Sequence, residues 1–333
     1  VTHRFSTEKV TANRTIGKYI INEVIGRGGW SIVYRGMHTG LNMPVAVKML
    51  KHDMAMNTEF AEKFHNEARI VALLNHENIV KVYDIEEMFR TIFIIMEYLE
   101  GVPLDYVLEK MPRLPVTKIL DILLQVCNGL SYAHDQGIIH QDIKPANLFI
   151  QSNGRARIVD FGLSCPRGTI DCSLPGTVYY MSPEQILGES VDECTDIYSL
   201  GILAYEMISG QRPYPEDDLA ELMDLHVRED VPDPRILVPD LPDELHYFIK
   251  RATQRDPSAR FKSTWEIIRD LQPLADKMGV EKEPTPGQRR KMMSLFLFYQ
   301  EEQQLILNRL VENFNSEVDK IGAELKVTNV DEV

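Results

Sequence analysis

The chain has 333 residues, 44% hydrophobic and 26% charged, which allows about two domains and excludes global disorder. Lys and Arg number 36 against 50 Asp and Glu, a net charge of −14. That balance argues against broad binding to a nucleic-acid backbone or to an anionic membrane surface.

Residues 1–17 are polar, with Arg4, Lys9 and Arg14, and read as a flexible arm. Three short runs rich in Ile, Val and Tyr follow at 19–25, 31–38 and 44–50, separated by Gly-containing turns, and predict strands. Over 59–74, Phe60, Phe64, Ala68, Val71 and Leu74 recur at helical spacing. Runs 79–85 and 91–98 add two strands, so five strands with one helix after the third are expected over 18–97. Gly101–Pro103 breaks the pattern. Beyond it helices dominate, with candidates at 117–136, 196–209, 220–227, 243–253 and 264–275. A second, larger helical part is therefore expected over 98–275, then a linker near 281–287 and a helical tail within 276–333.

The loop Gly26-Arg27-Gly28-Gly29-Trp30-Ser31 lies between the first two strands. Glycines there let backbone N–H groups approach phosphate oxygens, although glycine turns are common in hairpins. A dinucleotide fingerprint would need a helix directly after the glycines, and Ile32-Val33-Tyr34 continues as a strand. Lys48 ends Val45-Ala46-Val47-Lys48 and alternates with Val47 and Met49. It is either a solvent-face lysine or a point charge aimed at phosphates. Glu67 is the candidate carboxylate to hold it, with Glu59 and Glu62 as rivals.

The next segment is His140-Gln141-Asp142-Ile143-Lys144-Pro145-Ala146-Asn147, followed by Asp160-Phe161-Gly162. Phosphoryl transfer is mostly positioning and charge stabilisation. Asp160 and Asn147 are oxygen donors suited to Mg²⁺. Asp142 is placed to accept and orient a hydroxyl proton. Lys144 stands two residues on, within reach of a transferred phosphate.

Taken in order, the Gly-rich loop, VAVK, HxDxKxxN, DFG and the triplet Ser182-Pro183-Glu184 make residues 18–275 resemble a eukaryotic-type serine/threonine protein kinase of a bacterial kind. The resemblance implies a bilobal α+β fold: a small antiparallel sheet lobe with one key helix, and a larger helical lobe. It implies ATP with Mg²⁺, or Mn²⁺, as cofactors, and protein substrates that include the chain itself. Ile25, Val33, Ala46 and Phe149 would sandwich the adenine, with Met96 behind it and the backbone of Glu97 and Leu99 at its edge. The loop 26–31 and Lys48 with Glu67 would hold the phosphates. Val71, Val82, His140 and Phe161 would form a hydrophobic spine. Asp196 would anchor the catalytic loop, and Glu184 would pair with Arg260. Lys144, with Gly176-Thr177, fits the Ser/Thr pattern.

Three positions depart from that pattern. Ser31 replaces a glycine. Gln141 stands where an arginine usually grips a loop phosphate, which puts that route of control in doubt. Ala146 lacks the acid some basophilic kinases carry, leaving Glu206 as a hint of preference for basic substrates. Ser164, Thr169 and Ser173 are candidate autophosphorylation sites or plain loop residues, and Cys165 with Cys172 is a candidate redox pair. The rival readings are a binding-only pseudokinase, which usually lacks one of Lys48, Glu67, Asp142, Asn147 and Asp160, and a small-molecule kinase.

Leu307, Val311, Phe314, Val318, Ile321 and Leu325 repeat at 4-3-4-3-4 spacing, a short heptad seam for a homodimer or for packing on the same chain. No apolar signal segment is visible, and the apolar run 292–299 is far short of the ~20 residues that span a bilayer. Cys127, Cys165, Cys172 and Cys194 form no CxxC pair, so a reducing, cytoplasmic setting is expected.

Overall fold

The computed structural model describes residues 8–161, 164–169 and 178–280. Gly162, Cys172, Ser173, Gly176, Thr177, the apolar run 292–299 and the seam 307–325 therefore lie outside the described residues, as does the side chain of Glu59.

Strands β1 (Glu8–Ile16), β2 (Tyr19–Arg27), β3 (Ser31–His38) and β4 (Met43–Leu50) form an antiparallel meander. Helices α1 (His52–Ala55) and α2 (Thr58–Leu73) follow, and then β5 (Val82–Met88) and β6 (Thr91–Glu97). The sheet order is β1-β2-β3-β4-β6-β5. The sheet thus has six strands, not five, because part of the segment read as a flexible arm pairs with β2. Its polar composition hid it: a strand at a sheet edge needs no continuous apolar run.

Alternation along β4 divides its side chains between two cores. Val45 and Val47 pack with Ile16, Tyr19, Ile21, Phe93 and Ile95 on one face. Ala46 and Leu50 join Phe64, Ala68 and Val71 of α2 on the other. Lys48 shares the face of Ala46 and Leu50, so it points at α2 and not at solvent.

A short strand β7 (Gly101–Pro103) starts the second part. An added Cβ on Gly101 would lie 2.2 Å from the Ile150 carbonyl oxygen, so only glycine lets this strand approach that closely. Helices α3 (Leu104–Lys110) and α4 (Val116–Asp135) follow, then β8 (Ile138–Ile139), β9 (Leu148–Gln151), β10 (Ala156–Ile158) and β11 (Cys165–Pro166). Helices α5 (Pro183–Leu187), α6 (Glu193–Ser209), α7 (Leu219–Arg228), α8 (Asp243–Ala252) and α9 (Thr264–Lys277) complete the described part. Leu120, Leu123 and Leu130 of α4, with Leu200 and Leu203 of α6, are fully buried at the centre of the main core. That core is continuous with Ala46 and Val71, so one apolar body carries both parts of the site. Among the described residues, no helix is long and apolar enough to cross a membrane.

Candidate active site

The small sheet contributes a charge cluster. Lys48 Nζ donates to Glu67 Oε1 at 2.6 Å and to Asp160 Oδ1 at 3.1 Å. Glu62 is exposed on the outer face of α2, whereas Glu67 is buried, which decides between these two rivals. Burial draws the Lys48 pKa down, but Asp160 and Glu67 outweigh it and hold the ammonium above its ordinary value. Burial pushes the Glu67 carboxyl up to about 7, with Lys48 working against the rise.

Above this cluster the 26–31 loop forms the β2–β3 turn, closed by Gly28 N–H donating to Ser31 O at 2.8 Å. An added Cβ on Gly29 would meet nothing within 4 Å, so internal packing does not require glycine there. The missing side chain keeps a face of the loop open. Lys51 Nζ donates to Gly29 O at 2.7 Å, and the Trp30 ring packs edge-on against Phe60 of α2. The loop tip is thereby tied to the helix that carries Glu67. Ala46 and Met96 are buried, and Ile25, Val33, Leu99 and Phe149 are partly buried.

The second group sits on the loop between β8 and β9. Asp142 Oδ2 accepts from Lys144 Nζ at 2.7 Å and from Asn147 Nδ2 at 2.8 Å. Asn147 Nδ2 also donates to Asp142 O at 2.9 Å. With its amide nitrogen committed to Asp142, Asn147 offers Oδ1 as its ligand atom.

This loop is held from below by Asp196 of α6, which is fully buried. Asp196 accepts from the backbone N–H of His140 at 2.9 Å and of Gln141 at 2.7 Å, and pairs with His134 Nε2 at 2.8 Å. Burial alone would raise its pKa, but the His134 contact leads the effects that hold it below the ordinary carboxylate range. Gln141 adopts φ 67°, a left-handed conformation costly for a non-glycine residue. Its carbonyl accepts from Gln185 Nε2 at 2.9 Å and its Nε2 faces Cys165 Sγ, so contacts on several sides maintain that backbone. The His140 and Phe161 rings lie 4.6 Å apart, and Phe161 and Val71 belong to the main core, with partly buried Val82 packed against it. Glu184 and Arg260 form a buried bidentate pair at 2.8 and 2.9 Å.

The donor set bears on the metal. Among the described residues no group of three or more His, Cys, Asp or Glu could hold an ion. Glu67 is taken up by Lys48, and Asp142 by Lys144 and Asn147, which leaves the half-exposed carboxylate of Asp160 and the amide oxygen of Asn147 as the donors. Hard oxygen donors in that small number fit Mg²⁺, which keeps waters and phosphate oxygens as its other ligands.

The family model described as the protein kinase domain matches residues 19–270. The chain belongs to that family. It is 35% identical over 259 residues to the serine/threonine-protein kinase PknA of Mycobacterium tuberculosis, covering 74% of this chain and 59% of PknA. It is also 35% identical over 285 residues to the serine/threonine-protein kinase Pkn1 of Myxococcus xanthus, covering 81% of this chain and 40% of Pkn1. A crystal structure of the Mycobacterium tuberculosis PknI kinase domain superposes with a TM-score of 0.66 at 28% identity, covering 80% of this chain and 100% of that one. The chain spans between 39% and 59% of the length of the first curated relatives it matches.

Buried His134, Gln185 and Arg157 of this kinase domain were not anticipated. Arg157 of β10 is 6% exposed and reaches Glu97 at the end of β6. Its only sequence signal is an arginine between Ala156 and Ile158 in an otherwise apolar strand.

Proposed function

We propose that this kinase domain transfers the γ-phosphoryl group of ATP to serine or threonine hydroxyls of protein substrates, itself included, with Mg²⁺ or Mn²⁺ as cofactor. The observation that carries the reading is Lys48 held between Glu67 and Asp160, beside an Asp142 already engaged by Lys144 and Asn147. When bound, the metal would screen the charge of the phosphates, with Asp160 and Asn147 as its protein ligands.

Lys48 supplies a fixed positive charge to the α- and β-phosphates, and Glu67 keeps it aimed. The open face at Gly29 lets the loop backbone approach the phosphates. Ile25, Val33, Ala46 and Phe149 enclose the adenine, with Met96 behind and the Glu97 and Leu99 backbone at its edge. Asp142 orients the acceptor hydroxyl and takes its proton, while Lys144 steadies the phosphoryl group in transfer. A cavity of about 500 Å³ opens beside Lys144 and Ala146, with Tyr179, Glu206 and Arg212 in its wall, and gives room for a substrate side chain next to the acceptor. The substrate preference and the place of Thr177 in the Ser/Thr pattern belong to this proposal. So do a cytoplasmic setting, in keeping with free thiols at Cys127, Cys165 and Cys194, and self-association through the tail.

The test is to incubate the purified chain with labelled ATP and Mg²⁺, beside Asp142→Asn, and to map modified residues by mass spectrometry. Phosphoserine or phosphothreonine in the wild type, and none in the variant, is the expected result. A wild type that transfers no label to itself or to a generic protein substrate overturns the proposal.

A further inference from the structure

Strand β10 is three residues long, and its flanking members Ala156 and Ile158 are fully buried. A guanidinium between them is costly to desolvate unless it is paired and hydrogen-bonded. Arg157 has both kinds of partner. Nη1 donates to the Glu77 carbonyl oxygen at 2.5 Å, and Nη2 donates to Glu97 Oε2. Burial lowers the Arg157 pKa, and the Glu97 carboxylate opposes that change.

Those two bonds join three segments that the chain itself keeps far apart. Glu77 belongs to the turn after α2, the helix that carries Glu67. Glu97 ends β6, where the sheet hands over to the second part of the domain. Arg157 lies three positions before Asp160 on the same strand and its extension. Backbone bonds reinforce the junction: Val80 N–H to Ile158 O at 2.9 Å, Ile158 N–H to Asn78 O at 2.8 Å, and Glu97 N–H to Lys81 O at 2.8 Å. The carboxylate of Glu97 is therefore engaged by Arg157 while its backbone stands at the edge the adenine would meet.

We propose that Arg157 is a positioning residue for the nucleotide: through Glu97 it sets the end of β6 against the strand that delivers Asp160. The proposal rests on the kinase reading above. Adenine and metal-bound phosphates lie at opposite ends of one flexible ligand, which the protein must hold in a single extended conformation for transfer. The two protein edges that receive them must keep a fixed separation, and Arg157 is the buried side chain that links them. Without the link the domain still folds around its core, but it holds ATP in a less defined place.

The experiment is steady-state kinetics on the full chain with varied ATP, with direct nucleotide titration and a melting temperature for each protein. Arg157→Met and Glu97→Gln are each expected to raise the KM for ATP about tenfold with kcat changed less than threefold, the signature of lost ground-state binding. Arg157→Lys, which keeps the charge but not the fork, recovers part of the loss. The double variant Arg157→Met with Glu97→Gln is no worse than the more impaired single, because both break one link. Should Arg157→Met fail to fold, Glu97→Gln carries the test, since its shape is preserved and its carboxylate is partly exposed. An unchanged KM with a lowered melting temperature makes the pair structural and overturns the proposal, as does a rise in kcat. A wild type that binds no ATP fails at the titration, which identifies the kinase reading as the fault before any variant is compared.

Discussion

The two halves of the active site are built on different principles. Lys48, Glu67 and Asp160 meet as side chains from three separate elements, and Asp160 keeps 39% of its side chain exposed. Asp142, Lys144 and Asn147 lie within six residues of one loop, whose backbone is bonded to a carboxylate with no exposure at all, Asp196. The first half depends on how α2 and β10 sit against the sheet, and it moves when they move. The second half is pinned to the most buried helix of the domain. A kinase assembled this way can lose activity by displacement of a helix while its catalytic loop stays in place.

The largest effect should come from breaking the charge cluster. Lys48→Ala or Asp160→Ala is expected to lower phosphoryl transfer by at least ~10²–10³, and Asp160→Ala, at a side chain 39% exposed, nearly keeps the melting temperature because that group serves ligand charge and not packing. Near-wild-type turnover in Asp160→Ala would remove that residue from the metal site. The opposite pattern belongs to the buried scaffold under the loop. Arg260 is 0% exposed on its side chain and Glu184 4%, so Glu184→Ala leaves a guanidinium uncompensated in the core. A loss of ~3–5 kcal/mol in unfolding free energy is expected by denaturant titration. If stability falls by less than a third of that, the pair is not what holds α5 to the rest of the domain.

The smallest of the three effects is a matter of pH. His226 of α7 is fully buried, bonded at Nδ1 to the Tyr198 hydroxyl at 2.8 Å, and burial pushes its pKa down to about 4 from 6.5. The unfolded chain therefore binds a proton that the folded one refuses between those values. Stability is full above pH 6.5 and falls as the pH drops toward about 4, by ~3 kcal/mol from this group. Melting curves of wild type and His226→Phe over that range should differ in slope, the variant being flatter. Parallel slopes would mean that other groups carry the acid sensitivity.

Much of the loop half was legible in the sequence, because HxDxKxxN places its groups within a single turn of chain and needs no tertiary pairing to be seen. The charge half was legible only as candidates. Glu59, Glu62 and Glu67 all lie on one helix, and which of them faces Lys48 depends on the rotation of α2 against the sheet. The sixth strand was missed because backbone pairing along an edge leaves little mark in side-chain pattern. Helix α3 and the five-residue α5 were missed as too short for a periodic signal.

By itself, then, the sequence determined what is local: the glycine turn, the strand and helix periods, and the order of the phosphate-handling motifs. Those depend on residue type and short-range geometry. The tertiary structure decided which distant groups meet. Lys48 and Asp160 are separated by 112 residues and Arg157 and Glu97 by 60. No local preference brings such pairs together; they join because the cores on the two faces of β4 leave the chain one well-packed path.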